Sequence, residues 1–185
     1  MQRDVVDCVP AYRDSLRTSF NKSTYTRKDH FISLVKKFQG LQSIDEDAIQ
    51  TVLATLRENV IKHGLTVETI TKSEVRTFLH EDGLKDHYNN VNLIHSRLTL
   101  KPLPQIPDLD SLYRDFDLLD RTLFKLKDPD RKNSLSINYK LLKLLQHRGF
   151  SCEPSDFNPL KARARETHQR VMFDAFSLLN WKFQL

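Results

Sequence analysis

The chain has 185 residues, of which 39% are hydrophobic and 29% charged, with a formal net charge of +5. At a mean hydropathy of −0.52 this is the composition of a soluble globular chain with a sizeable core, neither a disordered tail nor a membrane protein. Four glycines exclude the glycine-rich loops of dinucleotide and Walker-type sites, and two cysteines cannot supply a tetrathiolate zinc site.

Residues 1–24 read as an irregular arm; they lack the apolar run of a secretory leader, so an intracellular home is expected, with no membrane contact. From there on, apolar residues recur at helical spacing and strand-like alternation is hard to find. The spacing predicts an all-α chain of about seven helices. The first runs from Arg27 to Gln39. The second, from Asp45 to Lys62, is preceded by Ser43 and Glu46 in capping-box form, and the third, from Lys72 to Glu81, by Thr71 and Glu74 in the same form. A fourth is expected from Lys85 to Leu98. Three prolines between Lys101 and Pro107 then force an extended connector. Beyond it come helices from Leu109 to Leu126, from Arg131 to Arg148, and from Pro159 to Asn180, the last with Asn158 and Pro159 as its start signal. Residues 25–185 are thus expected to form one helical domain, with a first group over 25–100 and a second over 108–185. The leucine-rich sixth helix is the expected centre. Each glycine falls just past a periodic segment, where a left-handed residue ends a helix.

Charge is segregated along the chain. Residues 1–40 carry eight basic and four acidic residues, 41–124 nine and fourteen, and 125–170 eleven and five. A helix N-terminus has a partial positive charge and favours acids in its first turn. Three expected starts break that rule, with Arg27 and Lys28, with Arg131 and Lys132, and with Lys161, Arg163 and Arg165. Lys132, Ser136, Lys140, Lys143 and His147 further form a narrow polar stripe on the sixth helix, read as a basic edge facing solvent. Free N–H groups, the helix dipole and neighbouring cations together suit phosphate, so these nine basic residues are the candidate site for nucleic acid or a partner. The alternative is ordinary solvated charge offset by local acids, and for Arg131 a buried, paired role.

No metal or cofactor site is expected. His87 and His95 are too far apart along one helix to share a zinc, and the acidic fifth helix, with Asp108, Asp110, Asp115, Asp117 and Asp120, lacks the glycine of a calcium loop. That helix reads as a solvated or docking face. Neither a nucleophile elbow nor a recognisable cysteine nucleophile is present, so no enzyme and no small-molecule substrate are expected. Trp181 reads as a core plug or an aromatic seal for the C-terminus, ahead of a ligand-stacking role.

Several segments, in order and spacing, carry a likeness: Ala11-Tyr-Arg-Asp, Tyr25-Thr-Arg-Lys-Asp-His-Phe31 with Phe38-Gln39, Asp130-Arg-Lys-Asn-Ser-Leu135 with Tyr139, and Pro159-Leu-Lys-Ala-Arg163 through Leu179-Asn-Trp181. Together they resemble the poxvirus late transcription factor 3-like family of large DNA viruses. The resemblance implies a non-enzyme needed for transcription of late viral genes, acting at promoter DNA with the viral RNA polymerase and other late factors inside the infected cell. Family members commonly carry a cysteine-rich zinc segment ahead of this helical region, and only Cys8 stands there, so zinc is not carried over. Two other readings stand beside it: an adaptor of the polymerase anchored by Arg131, Tyr139 or Trp181 rather than by a lysine stripe, with little or no DNA contact, and a structural or nucleoid protein packaged in the virion.

Overall fold

The computed structural model describes residues 26–127 and 134–184. Among these residues there are seven α-helices and no strand, the all-α architecture that the spacing predicts. They are α1 (Arg27–Phe38), α2 (Glu46–Lys62), α3 (Lys72–Glu81), α4 (Val91–Thr99), α5 (Leu109–Lys125), α6 (Ile137–His147) and α7 (Ala162–Leu178). Two turns of 3-10 helix precede α4, at Lys85–Asn90, and one precedes α7, at Pro154–Asp156.

Local chemistry sets the helix starts. Thr26 and Asp29 form a reciprocal capping box on α1, and Thr71 and Glu74 form the expected one on α3. On α2 the cap is Asp45, whose carboxylate accepts from the N–H groups of Asp47 and Ala48, rather than Ser43 with Glu46. The fourth helix starts six residues later than its spacing suggests, because Lys85–Asn90 winds more tightly as 3-10 helix. The last helix also starts late. Lys161 has extended backbone as its N-cap, so Pro159 lies ahead of the helix and not in its first turn.

Two apolar clusters fill the interior. The smaller joins α2, α3 and α4 through Ile49, Leu53, Leu56, Val75, Leu79 and Ile94. The larger joins α5, α6 and α7 with α1, through Phe31, Val35, Phe116, Leu141, Leu144 and Phe176. The first helix therefore shares its core with the C-terminal helices, although it is N-terminal to the proline-rich connector. Phe31 stacks on Phe116 of α5 with ring centroids 4.0 Å apart, which ties the two helices directly. Ile106 of the connector is buried in the same cluster. Helix α6 lies at the heart of this larger core, with Leu141, Leu144 and Leu145 fully buried. Trp181 stacks on His147 and meets Phe176 edge-on, sealing the end of α7 as expected.

Candidate nucleic-acid interface

The basic start of α1 is neutralised from within. Lys28 Nζ lies 2.5 Å from Asp117 and Arg27 lies 3.4 Å from Asp120, both acids on α5. Lys140 of α6 meets the same Asp120 at 2.6 Å, and Arg148, at the end of α6, reaches Asp115 at 2.6 Å and Ser111 at 2.9 Å. Asp115, Asp117 and Asp120 of α5 thus form a counter-charge strip for α1 and α6, while Asp110 stays exposed. Asp108 caps α5 itself by accepting from the Ser111 N–H.

The polar stripe on α6 also turns inward. Lys140 and Lys143 are only 4% and 5% exposed, so the expected basic edge does not face solvent there. Lys143 Nζ donates to the Gln184 carbonyl at 2.5 Å and lies over the Phe183 ring, 4.7 Å from its centroid. Burial holds the Lys143 ammonium below its ordinary pKa. A helical wheel separates polar from apolar positions, but only tertiary structure decides what covers each face. Here the C-terminal segment and α5 supply the cover.

Helix α6 opens at Ile137, later than expected; Arg131 and Lys132 lie outside the described residues. The late start has a tertiary cause. The backbone N–H of Ser136 donates to His168 Nε2 of α7 at 2.8 Å, which pins the opening of α6 against α7.

The remaining candidates, Lys161, Arg163 and Arg165, are exposed and make no ion pair among the described residues. They stand at the start of α7, which has no acid in its first turn and no side-chain cap. The start of α6 has neither as well. Both openings border one cleft of about 240 Å³, whose walls come from α6, α7 and the segment 154–160. Asn138 and Tyr139 enter it from the first turn of α6 and Arg165 from the first turns of α7, over a floor that includes Leu142 and Phe157. Among the described residues no carboxylate lines it. Burial raises the Tyr139 phenol above its ordinary pKa, with the nearby Arg165 opposing. Gln146, also lining the cleft, has a buried Oε1 without any hydrogen-bond partner.

The sequence points to the cations of this site but not to its carboxamides. Asn138, Gln146, Asn158 and Gln169 are spread over 32 positions, and no local pattern relates them. Among the described residues no cluster of three or more histidine, cysteine, aspartate or glutamate side chains is placed to hold a metal ion. His95 instead bonds the Ile70 carbonyl at 2.9 Å. No helix among the described residues is long and apolar enough to cross a membrane.

The model of the family described as Poxvirus Late Transcription Factor VLTF3 like matches residues 18–183, nearly the whole chain. The chain belongs to this family. Over 182 residues it is 33% identical to "Putative transcription factor 282R" of Invertebrate iridescent virus 6, covering 88% of this chain and 48% of that protein. Over 188 residues it is 35% identical to "Putative transcription factor 079L" of Invertebrate iridescent virus 3, with the same two coverages of 88% and 48%. A more distant relative in Frog virus 3, "Putative transcription factor 001R", is 27% identical over 83% of this chain and 62% of its own length. The chain thus spans about half the length of the two iridescent-virus relatives. No solved structure matches it significantly.

Proposed function

We propose that this member of the late transcription factor VLTF3-like family is a non-catalytic component of late viral transcription. It contacts the nucleic-acid backbone where α6 and α7 begin and works beside the viral RNA polymerase and other late factors in the infected cell. The observation that carries the reading is the pairing of two uncapped, acid-free helix starts at one cleft that no described carboxylate lines, with Arg165 in its wall and Lys161 and Arg163 exposed at the same helix start. Helix N-termini offer free N–H groups and partial positive charge to phosphate, and phosphate contacts fix a protein's position on DNA. The names of the relatives support the transcriptional setting.

The test is duplex DNA binding by fluorescence anisotropy across about 50 to 200 mM salt, where several phosphate contacts predict a loss of orders of magnitude. Replacing Lys161, Arg163 and Arg165 together by glutamate is expected to weaken binding and to flatten the logarithmic salt slope by about 2 to 3. Binding that ignores salt, or survives the triple variant unchanged, rejects this interface.

A second reading is favoured by one observation: Arg27, Lys28 and Lys140 are already neutralised by α5. That leaves less cationic surface for DNA than the charge counts suggest, and fits an adaptor that binds polymerase mainly through protein contacts. Capture of polymerase subunits by the triple glutamate variant, with DNA binding abolished, would favour the adaptor.

A further inference from the structure

The cleft at the starts of α6 and α7 has a composition that phosphate contact alone does not require. Its volume of about 240 Å³ falls below the roughly 300 to 1,000 Å³ of sites for drug-sized ligands, so the occupant is small. Carboxamides from Asn138, Gln146 and Gln169 share the recess with apolar side chains such as Leu142 and Phe157 and with the cations Lys143 and Arg165. The side chains of all three lack a hydrogen-bond partner within the protein. Gln146 is the informative one, because its Oε1 is buried. A buried acceptor left unmet is costly, and a ligand that carries a donor would meet it.

We propose that the cleft receives a single unpaired nucleotide of a nucleic-acid strand. This rests on the backbone contact argued above and adds to it the identity of what enters the recess. The base presents its exocyclic amine or ring N–H to Gln146 Oε1, with Asn138 and Gln169 reading the remaining edge. Tyr139 supplies an aromatic wall, as single-strand binders use for bases of any sequence. The phosphate of the same nucleotide sits at the mouth, where Arg165 lines the cleft and Lys161 and Arg163 stand at the same helix start. An acidic peptide with an apolar anchor fits the cations and the floor equally well, but the anchoring side chain itself carries no donor, so only its backbone could meet the carboxamides. A paired base is held in its duplex and cannot enter, so the geometry selects unpaired nucleotides.

The test uses two DNA duplexes of identical sequence, one carrying a single unpaired 2-aminopurine bulge. The bulged duplex is expected to bind about tenfold more tightly, within the range measured for stacking one base on an aromatic side chain, and its fluorescence should change on binding. Gln146→Leu is expected to erase the preference and leave affinity for the perfect duplex unaltered. Should that variant fold poorly, the double variant Asn138→Ala with Gln169→Ala makes the same prediction from the edge of the cleft. Competition by free deoxyadenosine monophosphate against the bulge, without effect on the perfect duplex, supports the assignment. Equal affinity for the two duplexes, with steep salt dependence kept, overturns the nucleotide site and leaves the backbone interface standing. Failure to bind any oligonucleotide removes both. Loss of polymerase capture by Gln146→Leu, with its oligonucleotide binding intact, assigns the cleft to a peptide and overturns the proposal.

Discussion

Lys140 and Lys143 have the same charge and neighbouring places on one helix, yet they are held by different chemistry. Lys140 is an ion-paired cation, with Asp120 at 2.6 Å and the Phe116 ring below its ammonium; Lys143 rests on a carbonyl and an aromatic ring. Removing one partner of a buried pair leaves an uncompensated charge, which costs more than the pair contributes. Asp120→Ala is therefore expected to destabilise the fold by about 3 kcal/mol, and Lys140→Met by about 1 kcal/mol or less, by urea denaturation. Equal effects would show that Lys140 is reached by water. Cys152 makes a second prediction at this scale. Burial pushes its thiol up to about 11, so the folded state keeps a proton that the unfolded chain releases near pH 9. The stabilisation is present below that pH and is lost as pH rises through about 11. Denaturation midpoints measured from pH 8 to 11 should fall, and Cys152→Ala should fall less steeply. Charge type was readable at each of these positions from the sequence, but burial was not, since the acids that neutralise Lys28 and Lys140 lie 89 and 20 residues away.

At the level of the helices, the period of apolar residues gave all seven, because packing selects that pattern directly. Stops were as legible as the glycines, each of which has a positive φ. Starts were legible only where side chain and backbone meet within a few residues. Thr71 and Glu74 satisfy that condition, and Thr71→Ala is expected to cost about 1 kcal/mol. The starts of α6 and α7 do not, because one is fixed by His168 across 32 residues and the other has no side-chain cap at all. Gly40 shows how an element boundary can also be a packing contact. It ends α1 at φ +70°, and a Cβ there would fall 2.5 Å from Leu103 Cδ1 of the connector. Gly64 has a similar φ of +67° with nothing within 4 Å. Both substitutions to alanine strain the backbone, but only Gly40→Ala also displaces the connector. Thermal or urea unfolding should rank Gly40→Ala as clearly more destabilised than Gly64→Ala; similar losses would mean that Leu103 moves aside freely.

Across the whole molecule, the connector misled the division into groups: chain order places α1 with α2 to α4, whereas Phe31 and Phe38 pack it among α5 to α7. A proline-rich segment marks where helix is impossible, and says nothing of which helices meet. The two cores are joined by polar contacts. Asn92 of α4 donates to the Phe38 carbonyl at 3.3 Å and Lys72 of α3 pairs with Asp156, while within the larger core Gln39 Oε1 accepts from the Ile106 N–H at 2.7 Å and ties α1 to the connector. Beside that pair, Arg76 of α3 donates to the Ser155 carbonyl at 2.5 Å, and burial holds its guanidinium below its ordinary pKa. Residues 154–160 are also a wall of the nucleotide cleft, so the smaller core braces the site without entering it. Arg76→Met should consequently loosen that wall while leaving Lys161, Arg163 and Arg165 in place. The preference for a bulged over a perfect duplex is expected to fall several-fold, with the salt slope for the perfect duplex preserved. Amide hydrogen exchange should show lost protection in α3 and α4 but not in α5 and α6, because local openings follow the contacts that are removed. Uniform loss of protection in all these helices would mean that the two cores unfold as one, and that the brace is inseparable from the fold.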